Sequence, residues 1–89
     1  MMSDLMRRIS FLNALKNLSQ DEVEELEFYK AVMRVIINIF RSKNYCTMAP
    51  IKLQNCSVES ARKHSKTLGL QIKENKTGLY VVFTKEVEI

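Results

Sequence analysis

Cationic side chains are the most concentrated source of chemistry in this sequence, and they lie in its second half. Six of them stand between residues 52 and 76, where only two acids oppose them: Lys52, Arg62, Lys63, Lys66, Lys73 and Lys76. Serine, threonine, asparagine and glutamine are interspersed among them. Clustered cations with hydrogen-bonding neighbours suit contacts to the phosphate backbone of a nucleic acid. The sequence therefore predicts a surface that contacts phosphate.

The distribution of charge favours the same half of the chain. The chain has 14 Lys and Arg against 10 Asp and Glu, which gives a formal net charge of +4. Residues 1–44 contain seven bases and six acids, a net of +1, whereas residues 45–89 contain seven bases and four acids, a net of +3. Such an excess favours an anionic partner, but it also serves solubility alone. The prediction of binding depends on the convergence of cations from neighbouring elements.

Residues suited to catalysis or metal binding are few. His64 is the only histidine, and it lies between Lys63 and Lys66 without a nearby acid in the sequence to orient it as a general base. A pair between His64 and Cys46 or Cys56 would have to form in space, and no local motif supports it. The same three residues lack the closely spaced ligands of zinc modules. The sequence predicts no enzyme, no metal site and no cofactor.

The cations fall on a predicted short helix and hairpin. Residues 58–68 have small and apolar side chains on one side of a helix, with a cap at Asn55 or Ser57, and Gly69 follows where a left-handed C-terminal cap is favoured. Strands are predicted at residues 70–74, which alternate, and at residues 79–85, which are β-branched and aromatic. The four residues between the strands form the loop, in which Gly78 suits a positive φ.

The order of basic helix, glycine stop and basic hairpin over residues 51–85 resembles the recognition helix and wing of winged helix-turn-helix nucleic-acid-binding domains. The resemblance is one of element order and charge, without a specific family motif. It implies that the third helix enters the major groove and that the hairpin contacts phosphate or the minor groove, with DNA favoured over RNA. The segment containing Pro50 departs from the pattern because it does not form a clear helix. The residues implied in binding are Lys52, Arg62, Lys63, Lys66, Lys73, Asn75, Lys76 and Thr77.

The second helix, predicted over residues 20–43, is apolar around most of its circumference. Ser19 and Glu22 form a capping box at its start, and its acids come early and its bases late, as the helix dipole favours. An 89-residue chain has few elements to cover so much apolar surface, which favours a homodimer. Burial by the first helix, the third helix and the hairpin of the same chain is the alternative. The predicted interface residues are Phe28, Val32, Val35, Ile36, Ile39 and Phe40.

The remaining elements complete a single α+β domain with two N-terminal helices, the second one long, a short basic third helix and a C-terminal β-hairpin. The first helix is predicted over residues 4–18, with Ser3 as its cap and a broad buried surface. A short strand is predicted at residues 45–48, and residues 51–54 are predicted to form either a strand or one turn of helix.

Two classes of function remain open. The first is a small basic regulatory protein that binds nucleic acid through residues 58–68 and 70–85. The second is a regulator or adaptor that docks on a larger protein through residues 28–40 or through the edge of the hairpin. The absence of a signal peptide or of a long apolar span predicts a cytoplasmic protein without membrane association, whose cysteines are reduced.

Overall fold

The computed structural model of the chain describes residues 2–42 and 48–83. These residues form three helices and one antiparallel sheet of three strands. The elements are α1 (Met2–Ala14), α2 (Gln20–Ser42), β1 (Met48–Pro50), α3 (Val58–Leu68), β2 (Leu70–Asn75) and β3 (Gly78–Phe83). The strand order is β1-β3-β2. The predicted α+β class is confirmed.

Local hydrogen bonds define the starts of α2 and α3. The amide of Glu22 donates to Ser19 Oγ at 3.2 Å, and the amide of Ser19 donates to Glu22 Oε1 at 3.1 Å, which confirms the capping box. Ser57 rather than Asn55 caps α3, because its Oγ accepts from the amide of Ser60 at 3.1 Å. At the other end of α3 the predicted C-terminal cap is confirmed, since the backbone of Gly69 is in the left-handed conformation, with φ 71°.

The first helix differs from its prediction at both ends. It begins at Met2, so Ser3 lies inside the first turn and does not cap it. It ends at Ala14 instead of residue 18, because the chain must turn back before the capping box that starts α2. Leu5 and Leu12 are fully buried, whereas Phe11 is 52% exposed. The buried surface of α1 is therefore one narrow stripe and not the broad surface that was predicted.

The apolar surface of α2 is covered within one chain. Phe28, Val32 and Ile36 are fully buried, and Val35 and Ile39 are each 7% exposed. Half-buried Phe40 packs against the same core. The side chains that share this core from other parts of the chain include Leu5, Ile51, Ala61, Leu70, Val81 and Phe83. The predicted dimer interface thus loses its basis, because its residues are already removed from water by intrachain packing. The alternative of burial within the monomer describes this structure.

The C-terminal hairpin belongs to a larger sheet than predicted. β1 pairs with β3 in antiparallel register, with Ala49 opposite Val81, and β2 pairs with the other side of β3. Pro50 is compatible with β1 because this strand lies at the edge of the sheet. Residues 51–57 form neither helix nor strand, so no helix directly precedes α3 and the winged-helix resemblance is not confirmed. Residues 45–47 and 84–85 of the predicted strands lie outside the described residues.

The hairpin turn is also tighter than the predicted four-residue loop. Asn75 pairs with Gly78, which leaves a turn of two residues, Lys76 and Thr77. Two-residue turns match the twist of the strands they connect. Gly78 has φ 136°, a value that side chains with a Cβ rarely adopt, so the prediction of a positive φ is confirmed.

Two adjacent isoleucines in α2 allow the burial to be tested. Ile36 is fully buried and Ile37 is 37% exposed. We expect Ile36→Ala to lower the free energy of unfolding by about 2–5 kcal/mol, because it leaves a cavity in the core. Ile37→Ala is the matched control and should cost less than about 1 kcal/mol. Urea unfolding followed by circular dichroism measures both values, and equal losses for the two variants would contradict the packing described.

Candidate functional site

The outer face of α3 presents the three predicted cations. Ser60, Ala61, His64 and Ser65 are buried, whereas Arg62, Lys63 and Lys66 are exposed. Lys63 has a partner, since its Nζ donates to Asp21 Oδ1 at 3.1 Å. Arg62 and Lys66 form no ion pair with another described residue. The prediction of an exposed basic face is therefore met by all three residues, but Lys63 forms an ion pair with another described residue and the other two do not.

The register of the sheet places Lys73 on the face that points away from the core. Leu70 and Ile72 share the core face with their partners in β3, so the intervening residues of β2 face outward. Lys73 is exposed and pairs directly with half-buried Tyr80, whose partner on the other side is Pro50. The sequence prediction did not include Tyr80. The alternation of residues along β3 is the signal that puts Tyr80 on the same outward face as Lys73.

Side-chain hydrogen bonds shape the tip of the hairpin. Asn75 Oδ1 accepts from the amide of Thr77 at 3.0 Å and from its Oγ1 at 2.7 Å. The same Oγ1 lies 2.7 Å from the hydroxyl of Tyr80. Asn75 and Thr77 thus fix the turn, which leaves Lys76 exposed at the tip. Lys52, which follows β1, is exposed as well.

Acidic residues of α2 border the N-terminal half of α3. Glu24 accepts from the amide of Ser57 at 3.0 Å and from the hydroxyl of Ser60 at 2.9 Å, and these bonds lower the pKa of Glu24. The hydrogen bond from Lys63 likewise lowers the pKa of Asp21. Both carboxylates are therefore charged at neutral pH. The uncompensated positive charge of the surface lies on the C-terminal half of α3 and on the hairpin.

A polar cluster that the sequence did not predict lies between α2 and α3. His64 is only 6% exposed. Its Nε2 is 3.5 Å from Asp21 Oδ1, and its Nδ1 is 4.0 Å from Glu25 Oε2. Glu25 also accepts hydrogen bonds from Nε and Nη2 of Arg8. His64, which has no acid within four residues in the sequence, obtains two from α2. Their spacing of four residues, which puts both on one helix face, is the signal available in the sequence.

A pocket opens beside this cluster, between the three helices. Its volume is about 520 Å³, and its lining residues are Asp4, Arg8, Glu25, Tyr29, His64, Thr67 and Leu68. The Tyr29 ring meets the His64 ring edge to face, with centroids 6.2 Å apart. Burial, and then the charge of Glu25, raise the pKa of Tyr29, so its hydroxyl stays protonated. The pocket thus combines a hydroxyl, an imidazole and a carboxylate paired with a guanidinium.

The geometry does not favour a cysteine–histidine pair with Cys56. This cysteine is half-buried, and its Sγ donates to the carbonyl oxygen of Ser57 at 3.4 Å. Burial raises the pKa of the thiol to about 11, with a smaller effect from the charges of Glu24 and Glu27. A thiol with so high a pKa is neutral and weakly reactive at physiological pH. Cys46 lies outside the described residues.

Known proteins provide no guide to the role of these residues. No protein-family model matches the chain, and neither a curated protein nor a solved structure matches it. Among residues 2–42 and 48–83, no helix has both the length and the apolar character needed to cross a membrane.

The thiol of Cys56 provides a test of its environment. In a Cys46→Ser variant, Cys56 is the only thiol of the chain. A pKa raised from 9.0 to about 11 lowers the thiolate fraction at pH 8 about 100-fold. The more basic thiolate is also the better nucleophile, so we expect alkylation by iodoacetamide to be roughly 10- to 100-fold slower in the folded protein than in urea. The folded rate should rise steadily between pH 8 and pH 11; equal rates in both states would contradict the burial.

Proposed function

We propose that the protein binds nucleic acid, with duplex DNA as the favoured ligand, through the outer face of α3 and the hairpin of β2 and β3. The supporting observation is a set of exposed cations without an ion-pair partner among the described residues: Lys52, Arg62, Lys66, Lys73 and Lys76. Such side chains approach phosphate without first breaking an internal pair. Release of the counterions condensed on DNA then supplies affinity, since it increases with the number of phosphates neutralised.

The dimensions of α3 fit this role. Its 11 residues give a length of roughly 16 Å, and an α-helix fits the major groove, which is about 12 Å wide. Arg62 and Lys66 are four residues apart and therefore neighbours on the outward face. Arg62 is suited to a guanine edge or a phosphate, whereas Lys66 acts as a point charge on the backbone. Lys63 contributes less, because it must first leave Asp21.

The hairpin adds a second contact region. Lys73 and Lys76 are the exposed cations of its outer face and tip. Tyr80 pairs with Lys73 across the strands, and an aromatic ring beside a cation also suits stacking on an unpaired base. Single-stranded DNA and duplex RNA are therefore the competitors against which the preference for duplex DNA is measured.

Docking on a protein partner has less support. Of the two surfaces considered for it, residues 28–40 are mostly buried in the core. The outer edge of β2 has no strand partner among the described residues, so it remains available in principle. That edge carries Lys73 and Glu74, and charged side chains are typical of edges protected from pairing with another strand. The basic surface is the better supported site.

A charge-matched pair of variants tests the proposal. The test variant is Arg62→Ala/Lys66→Ala/Lys76→Ala. The control is Arg7→Ala/Lys16→Ala/Arg41→Ala, which removes three exposed cations elsewhere and lowers the net charge of +4 by the same amount. Fluorescence anisotropy with a labelled mixed-sequence duplex gives the affinity over a range of salt concentrations. We expect the slope of log K against log salt to fall by about three in the test variant and to stay unchanged in the control, because each lost phosphate contact removes about one unit.

Two results would refute this function. One is the absence of duplex binding by the native protein even at low salt. The other is an equal loss of affinity in test and control variants, which would indicate attraction to net charge without a specific surface. The single variant Lys63→Ala should weaken binding less than Lys66→Ala, because Lys63 is already paired with Asp21.

A further inference from the structure

We propose that Asp21, Glu25 and His64 form a binding site for one divalent transition-metal ion, and that zinc is the ion this donor set suits best. Each side chain offers one ligand atom, and the three atoms lie within 4.8 Å of one another. An imidazole nitrogen and carboxylate oxygens are established zinc donors, and three protein ligands leave a fourth position open. This inference does not rest on the proposed binding of nucleic acid, because its three donor residues are not among the cations proposed to contact phosphate.

The buried nitrogen of His64 is a separate reason to expect a ligand here. The side chain is only 7% exposed, and Nε2 has no hydrogen-bond partner among the described residues. A buried polar atom is normally satisfied by protein, by water or by an ion. Nε2 is 3.5 Å from Asp21 Oδ1. Adjacent donors of a tetrahedral zinc ion with bonds of about 2.0–2.1 Å are roughly 3.4 Å apart, so this pair already has the required separation.

The third donor comes from the same face of α2. Asp21 and Glu25 are four residues apart, which makes their side chains neighbours, and His64 projects towards both from α3. Glu25 Oε2 is 4.0 Å from His64 Nδ1. The ligand atom that Glu25 offers already lies within 4.8 Å of those of Asp21 and His64, which places it beside the proposed ion. Donors on packed helices are held more accurately than donors on loops.

Two cations compete with the ion for these carboxylates. Lys63 donates to Asp21, but its side chain is 66% exposed, so it can move into water when the ion binds. Arg8 binds both oxygens of Glu25 and remains compatible with the site, because each carboxylate oxygen accepts more than one bond. Hydrogen-bonded partners of this kind commonly orient metal ligands. Removal of the Lys63 charge should therefore strengthen metal binding.

The open coordination position has room for an external ligand. Glu25 and His64 also line the pocket of about 520 Å³, in which Tyr29 and Thr67 supply hydroxyl groups. An ion bound by both residues faces this space and can hold water or a small anionic molecule there. The combination of an open position with nearby hydrogen-bonding groups distinguishes the site from a closed structural zinc centre.

The test uses the untagged full chain, freed of metal and titrated with Zn²⁺ and with Co²⁺ in the calorimeter. Because His64 is the only histidine, long-range ¹H–¹⁵N spectra report on its ring without ambiguity. We expect one ion per chain and a shift of one ring nitrogen. Asp21→Asn should weaken binding at least about 10-fold, and Lys63→Met should strengthen it by up to about 5-fold. Glu59→Gln, which neutralises an exposed carboxylate on α3, is the control and should bind as the native protein does.

Four outcomes would overturn the site. The first is that the native protein binds neither ion in a saturable way, and the second is that it binds one while the ring nitrogens of His64 stay unshifted. The third is that Asp21→Asn keeps the native affinity; the side chain of Asp21 is 51% exposed, so this variant is expected to fold, and circular dichroism verifies that it does. A thiolate-to-cobalt charge-transfer band would assign the ion to cysteine and would equally refute the proposal.

Discussion

The apolar side chains of α2 must leave water, and only a single short chain is available to cover them. Leu5 from α1, Ala61 from α3 and Val81 from β3 all pack into the core that surrounds this helix. Each large apolar side chain buried there contributes about 1.5–3 kcal/mol. Because three separate elements pack against one helix, their positions relative to each other follow from it. The basic face of α3 and the hairpin are thereby held in a constant arrangement.

The two ends of α2 contact the rest of the chain in different ways. Its residues 28–39 contribute to the apolar core, whereas its first turns contribute carboxylates to α3. Glu24 accepts hydrogen bonds from the amide of Ser57 and the hydroxyl of Ser60 at the start of α3, and Asp21 pairs with Lys63. The acids at the start of α2 suit the helix dipole, as expected from sequence. They also form the polar contacts that join the two helices, which a dipole argument alone does not include.

Lys63 connects the two proposed sites. It lies on the face of α3 assigned to nucleic acid, and it neutralises the carboxylate of Asp21, which is assigned to the metal ion. An ion at Asp21 would displace this lysine into solvent and so add a free cation to the outer face of α3. The pocket beside His64 and the basic surface are thus linked through one side chain. They remain distinct in chemistry, since the proposed metal site consists of an imidazole and two carboxylates, whereas the proposed nucleic-acid site consists of exposed cations.

The sequence by itself determined the features that depend on neighbouring residues. The capping box at Ser19 and the left-handed glycine after α3 were predictable, because each is formed within a few residues. For the cap of α3 the sequence left two candidates, Asn55 and Ser57. The alternation of β2 was visible for the same reason. These signals were sufficient for the α+β class, for the extent of α3 and for the exposure of its cations.

Only the tertiary structure decided what depends on residues far apart in the chain. β1 has three residues and contains Pro50, so it is too short to show a period, and its pairing with β3 is what makes it a strand. The covering of α2 by other elements of its own chain depended on where each of those elements lies. The acids beside His64 come from a different helix, so the spacing of Asp21 and Glu25 within α2 could not by itself place them next to His64. Patterns among neighbouring residues do not predict such contacts, because the contacts form only when packing brings distant segments of the chain together.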